Sequence, residues 1–162
     1  MTLRSIIARS EALIASLPAT LVLLVLRIAL AVPFFRSGLT KWDAPFVLAP
    51  SQAFLFGQEF RLHILGGAYP YPFPTLAAYL AATGEIVLPI LLVLGLGTRF
   101  AALGILLMTA VIQLTVPEGW ANFHLPWAAM ALALMAYGAG RLSVDGLLAN
   151  RTPEMTPTGS HG

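Results

Sequence analysis

The chain has 162 residues, of which 58% are hydrophobic and 10% charged, and its mean hydropathy is +0.83, whereas soluble domains carry about 25% charge. That excludes a water-soluble globular domain and reads as one integral membrane domain whose apolar surface is covered by lipid. Nine Lys and Arg against seven Asp and Glu leave a net charge of +2 with no basic run interleaved with aromatics, and there is no cysteine. Nucleic acid is therefore not an expected partner, and disulfides, thiolate metal sites and thiol relays are excluded.

In chain order, Leu3, Ile6, Ile7, Leu13, Ile14 and Leu17 recur at helical spacing with Arg4, Arg9 and Glu11 between them. This pattern predicts a short amphipathic helix lying on the membrane surface. Four apolar runs follow, Leu17–Phe35, Thr75–Leu96, Phe100–Val116 and Ala121–Ala139, each about 17 to 22 residues and so long enough to cross a ~30 Å hydrocarbon layer as a helix. The first run carries Arg27 at its middle and lacks a small-x-small cleavage pattern before Arg36, so it reads as a retained anchor rather than a signal peptide. Arg4, Arg9, Arg99, Arg141 and Arg151 fall on the side of the termini and Arg36, Lys41 and Arg61 on the other, which predicts cytoplasmic termini.

The segment 36–74 is the one long connection. It is rich in aromatics and ends in YPYPFP, Tyr69–Pro74, a string whose prolines forbid a helix and make a stiff lead into the second span. Between them, Glu59–Leu65 alternates polar and apolar residues, a pattern open to a strand or to half of a surface helix. Short joints at Gly95–Thr98 and Pro117–Trp120 make the later spans antiparallel neighbours. The fold expected is all-α: an integral membrane four-helix antiparallel bundle over residues 1–150, with an interfacial N-terminal helix, a long outer loop and a disordered tail over 151–162.

Arg27 and Glu85 each lie about ten residues into their runs, roughly 15 Å deep. An unpaired charge there costs ~2.5 to 3.5 kcal/mol on insertion scales, so an Arg27–Glu85 ion pair is expected. Pro89 adds to this, because it frees the carbonyl of Glu85 itself. The pair reads either as glue between spans one and two or as a proton-handling, ligand-orienting site. Gln113, Asn122 and His124, with Arg36 and Lys41, gather toward the outer half and are the expected lining of a ligand pocket. Arg141 and Asp145, four residues apart after Gly138–Gly140, read as a latch at the inner surface. There is no GxSxG, Walker or HExxH motif and no histidine pair spaced for one-helix ligation, so no resident metal or haem is expected.

Three phrases occur in order: R-I-A-L-A-V-P-F-F-R-S-G-L-T-K-W from Arg27 to Trp42, G-E-I-V-L-P-I-L-L-V-L-G-L-G-T-R-F-A-A-L from Gly84 to Leu103, and G-A-G-R-L-S-V-D from Gly138 to Asp145. Together they resemble the DoxX family of small four-helix bacterial membrane proteins. The resemblance implies a subunit of the bacterial inner membrane associated with quinone-linked oxidation, in a setting of oxidative or metal stress. On that reading Glu85 and Arg27 are the expected catalytic residues, and His124, Gln113, Lys41, Arg36 and Asn122 the ligand-binding ones. A quinone is the expected cofactor. The expected partners are the lipid bilayer, a protein at the outer face and a second copy of the chain, and electron flow would need a partner protein. The alternative is a non-catalytic anchor or assembly partner for a soluble or metal-binding protein.

Overall fold

The computed structural model describes residues 2–150, so the expected tail from 151 onward lies outside the described residues. The chain is mostly helical. α1 (Leu3–Ala15) has no buried residue, and Pro18 then starts α2 (Ala19–Leu39). After the long connection come α4 (Pro74–Leu94) and α5 (Thr98–Thr115), and these two with α2 are long and apolar enough to cross a membrane. The regular part of α6 (Leu125–Tyr137) has only 13 residues, with a wide turn, Trp120–His124, and a tight one, Pro117–Gly119, wound before it. The last element, α7 (Val144–Ala149), is short.

α2 packs along α4, α5 lies against both α4 and α6, and α6 returns to α2. Leu30, Leu92, Ile105 and Leu134 fill the centre with Ala102 and Ala131 between them. Small side chains at that level let the helix axes approach without any force between apolar surfaces beyond packing.

The long connection is more ordered than an all-α reading allows. β1 (Trp42–Ala44) pairs with β2 (Val47–Leu48), and a short helix α3 (Pro50–Phe54) runs into a wide turn, Leu55–Glu59. β3 (Arg61–Ile64) then pairs antiparallel with β4 (Gly67–Pro70). The alternation at 59–65 thus resolves as a strand. Its turn places Leu65 at φ 51° and Gly66 at φ 84°, the paired left-handed geometry that matches hairpin twist. The loop is fastened to the end of α5 by His63, whose Nδ1 lies 3.1 Å from the Leu114 carbonyl, and by Tyr71 and Thr115, whose hydroxyls are 2.6 Å apart.

Candidate functional site

The relative height of α2 and α4 decides which charges meet. Gly38 is the point of close approach: a Cβ there would stand 3.0 Å from both the carbonyl carbon and the Cβ of Glu85. Glu85 is therefore level with the end of α2, and Arg27, eleven residues earlier, is about 16 Å below it along the axis. The expected Arg27–Glu85 ion pair does not form. Helical side chains also lean toward their own N-termini, so on antiparallel helices these two lean apart. Counting depth from the ends of the apolar runs assumed that α2 and α4 start and stop at the same heights.

Glu85 instead pairs with Lys41, Nζ to Oε2 2.7 Å, and the same Nζ donates to Ser37 Oγ at 2.9 Å. Ser37 and Lys41 are one helical turn apart just where α2 ends, so the lysine reaches back along its own helix face. The pair forms the floor of a cavity of about 530 Å³. Phe34 and Trp127 stand on one side, with ring centroids 4.9 Å apart, and Phe56, Phe60 and Tyr71 of the long loop form its roof. Phe56 packs edge-on against Phe60 and Tyr71, at 5.2 and 5.3 Å. Leu80 of α4 and Leu107 and Val111 of α5 also line it and are exposed on the apolar helix surfaces, so the mouth lies between α4 and α5.

The other expected ligand residues divide. His124 is buried, and its Nδ1 donates to Gln113 Oε1 at 2.6 Å, while Gln113 Nε2 donates to the Pro117 carbonyl at 3.2 Å. The amide orientation thus sets the proton on Nδ1. His124 stands behind Trp127, 5.5 Å between rings, and so props a wall of the cavity without lining it. Asn122 is exposed, and Arg36 lines a separate apolar groove with Pro89 and Ile90. Sequence reasoning missed Ser37, Phe56, Phe60 and Tyr71; the Ser37-x-x-x-Lys41 spacing was the available signal for the first.

Arg27 belongs to a second cluster, at the opposite end of the bundle. α4 stops at Gly95 (φ 68°), whose successor Leu96 donates back to the Leu91 carbonyl at 3.0 Å, a glycine-closed helix end. Arg27 is wholly buried there, with Nη1 donating to the carbonyls of Leu92 (3.3 Å) and Val93 (3.1 Å) and Nη2 to Leu142. Arg99 Nη1 likewise donates to the Met135 carbonyl at 2.6 Å, near the end of α6. Asp145 does the converse for α5: the amides of Gly97 and Thr98 donate to Oδ1 and Oδ2 at 2.8 and 2.9 Å. It also returns its own amide to the Gly95 carbonyl at 2.9 Å. The expected Arg141–Asp145 latch is thus replaced by a cap, because Gly97 has no side chain to cap α5 itself and Asp145 supplies one. Cations at helix C-termini and an anion at an N-terminus each complement the peptide dipoles.

Burial works against the charge of Asp145, but the two amides, the Thr98 side chain and the Arg27 guanidinium outweigh it and hold the carboxyl below its usual value. A carboxyl with a depressed pKa contributes stability at any pH above its unfolded value of about 3.9 and loses it as pH falls through the folded value. The thermal midpoint of the wild type should therefore drop on acidification below about pH 4, and Asp145→Asn should start lower at neutral pH and show a smaller drop. Melting curves between neutral and acid buffers check this; parallel curves for the two proteins would contradict it.

The DoxX family model matches residues 22–118. The chain belongs to the DoxX family. A protein of Haemophilus influenzae, described as uncharacterized, is 32% identical over 138 residues, covering 78% of this chain and 82% of the relative. No solved structure matches. As a DoxX protein with three long apolar helices, the chain is a multi-pass membrane protein. The DoxX match takes in Arg27, Lys41 and Glu85 and ends before Asp145, so the cap that closes the second cluster comes from beyond it.

Proposed function

We propose that this DoxX protein crosses the bacterial cytoplasmic membrane four times with both termini inside, α1 lying on the inner surface, and that its cavity receives the ring of a lipid-soluble quinone. The fourth crossing is the continuous helical stretch 117–137, about 21 residues and so roughly 30 Å long. The observation that carries the reading is the cavity itself: aromatic walls, one ion pair at the floor and a mouth on the lipid-facing surface. A volume near 530 Å³ is within the range of small-ligand sites, about 300 to 1,000 Å³.

The donor set suits the ligand. A quinone ring presents carbonyl oxygens that need donors, and the Lys41 ammonium and Ser37 hydroxyl are donors on the floor, while Phe34, Phe56 and Trp127 offer faces for a flat ring. When bound, a quinone supplies two-electron, two-proton redox chemistry. The protein's own part is to orient the ring, exclude water and hold a proton at the Glu85 carboxylate or the Lys41 ammonium. Electrons come from a protein partner at the outer face. Arg27, distant from the cavity, acts as a clamp between helix ends and not as a catalytic group.

Gentle detergent extraction followed by lipid analysis tests this. Wild type should retain quinone, Lys41→Met and Glu85→Gln should retain about tenfold less, a loss of ~1.4 kcal/mol in binding, and Asn122→Ala should match wild type. Folded wild type without quinone would overturn the reading.

A second reading, an anchor for a soluble protein, is favoured by the hairpin tips. Phe46 (φ 62°) and Leu65 (φ 51°) hold left-handed backbone at about 1 to 2 kcal/mol each, and both are almost fully exposed. In that case Glu85→Gln leaves partner capture intact, while deleting 54–65 abolishes it.

A further inference from the structure

Eight of the nine basic residues of the chain are arginines, and the single lysine is Lys41. An arginine keeps its charge in every protein setting, whereas a lysine amine gives up its proton when desolvated and becomes a nucleophile. That one lysine is the one that lines the cavity. Its side chain is 12% exposed, 2.7 Å from the Glu85 carboxylate and 2.9 Å from the Ser37 hydroxyl. The ammonium and the carboxylate are in direct contact, so a proton passes between them without crossing solvent.

We infer that Lys41 forms a reversible imine with an apolar aldehyde taken from the membrane. The ammonium passes a proton to Glu85, and the neutral amine adds to the carbonyl carbon, so that a nitrogen–carbon bond forms as the carbonyl π bond breaks. The oxygen takes the proton from Glu85, which then collects a second proton from nitrogen and delivers it to the hydroxyl. Water leaves as the nitrogen lone pair closes the double bond, and the protonated imine faces the carboxylate again. One ammonium and one aldehyde give one protonated imine and one water, with no change of oxidation state. The apolar walls select the aldehyde's chain, and the mouth between Leu80 and Leu107 lets it enter from lipid. The inference rests on the cavity and its ion pair and not on a quinone, so the two readings fail separately.

The test is reductive trapping on the full chain in lipid nanodiscs free of quinone. Wild type is incubated with decanal and cyanoborohydride, and the adduct is located by peptide mass mapping. Lys41 should carry one decyl group, hydrophilic glyoxylate should leave it unmodified, and Lys41→Arg should show no adduct at that position. Glu85→Gln should slow trapping by about a hundredfold, the scale of a lost general acid–base group, with folding checked by gel filtration. An unmodified Lys41, equal labelling by glyoxylate, or an unchanged rate in folded Glu85→Gln would each overturn the inference. Should Glu85→Gln not fold, the contrast between decanal and glyoxylate on wild type decides.

Discussion

Replacing Arg27 by alanine is expected to lower the stability of the folded chain by about 3 to 5 kcal/mol, the scale for removing one member of a buried charge network. The guanidinium meets three carbonyls from two segments far apart in sequence, Leu92 and Val93 at the end of α4 and Leu142 ahead of α7. Without it those oxygens lose their donors, and the attraction that helps keep Asp145 ionised is lost. Arg27→Lys should recover only part of the loss, because an ammonium cannot present the planar fork that reaches both segments. Unfolding in mild detergent measures this, and quinone retention normalised to folded protein should stay at the wild-type level. A loss under ~0.5 kcal/mol, the ordinary range for surface substitutions, would contradict the clamp.

The apolar runs made the long helices legible, and punctuation fixed some ends: Pro18 opens α2 and Gly95 closes α4. The expected first span stopped at Phe35, yet α2 runs to Leu39, because Arg36 and Ser37 end the hydropathy while the backbone stays helical. Ser37 and Gly38 fall outside the counted span, and Lys41 is expected there only as pocket lining, so Glu85 is matched with the one cation inside the span instead of with Lys41.

The height of one helix against another is not written in either apolar pattern. It is set by packing, here by Gly38 against the backbone of Glu85. Two of the three family-like phrases also made more sense in space than in sequence: the Gly95–Thr98 turn and the Ser143-x-Asp145 run meet as turn and cap. The Leu65–Gly66 turn had a glycine to announce it, whereas Pro45–Phe46 places a phenylalanine at positive φ, where no local preference points.

Removing the cavity pair one member at a time should separate its structural from its functional part. Lys41→Met leaves the Glu85 carboxylate buried at the level of an apolar bundle with its 2.7 Å partner gone, and Glu85→Met leaves the ammonium in the same position. Each single change should cost about 3 to 5 kcal/mol, most of it the desolvation of the charge left behind. The double change Lys41→Met with Glu85→Met removes both charges and fills the floor with side chains of similar length, and apolar replacements of a buried pair are neutral or stabilising by about 1 to 4 kcal/mol. The double variant should therefore melt at or above wild type, a non-additivity that only contacting residues produce. Quinone retention should be low in all three proteins, since each single variant lacks either the Lys41 donor or the Glu85 carboxylate and the double variant keeps only Ser37 on the floor. A double variant as unstable as the sum of its parts would mean that the two side chains do not shelter each other. One that is stable and still retains quinone would reduce the pair to a packing element.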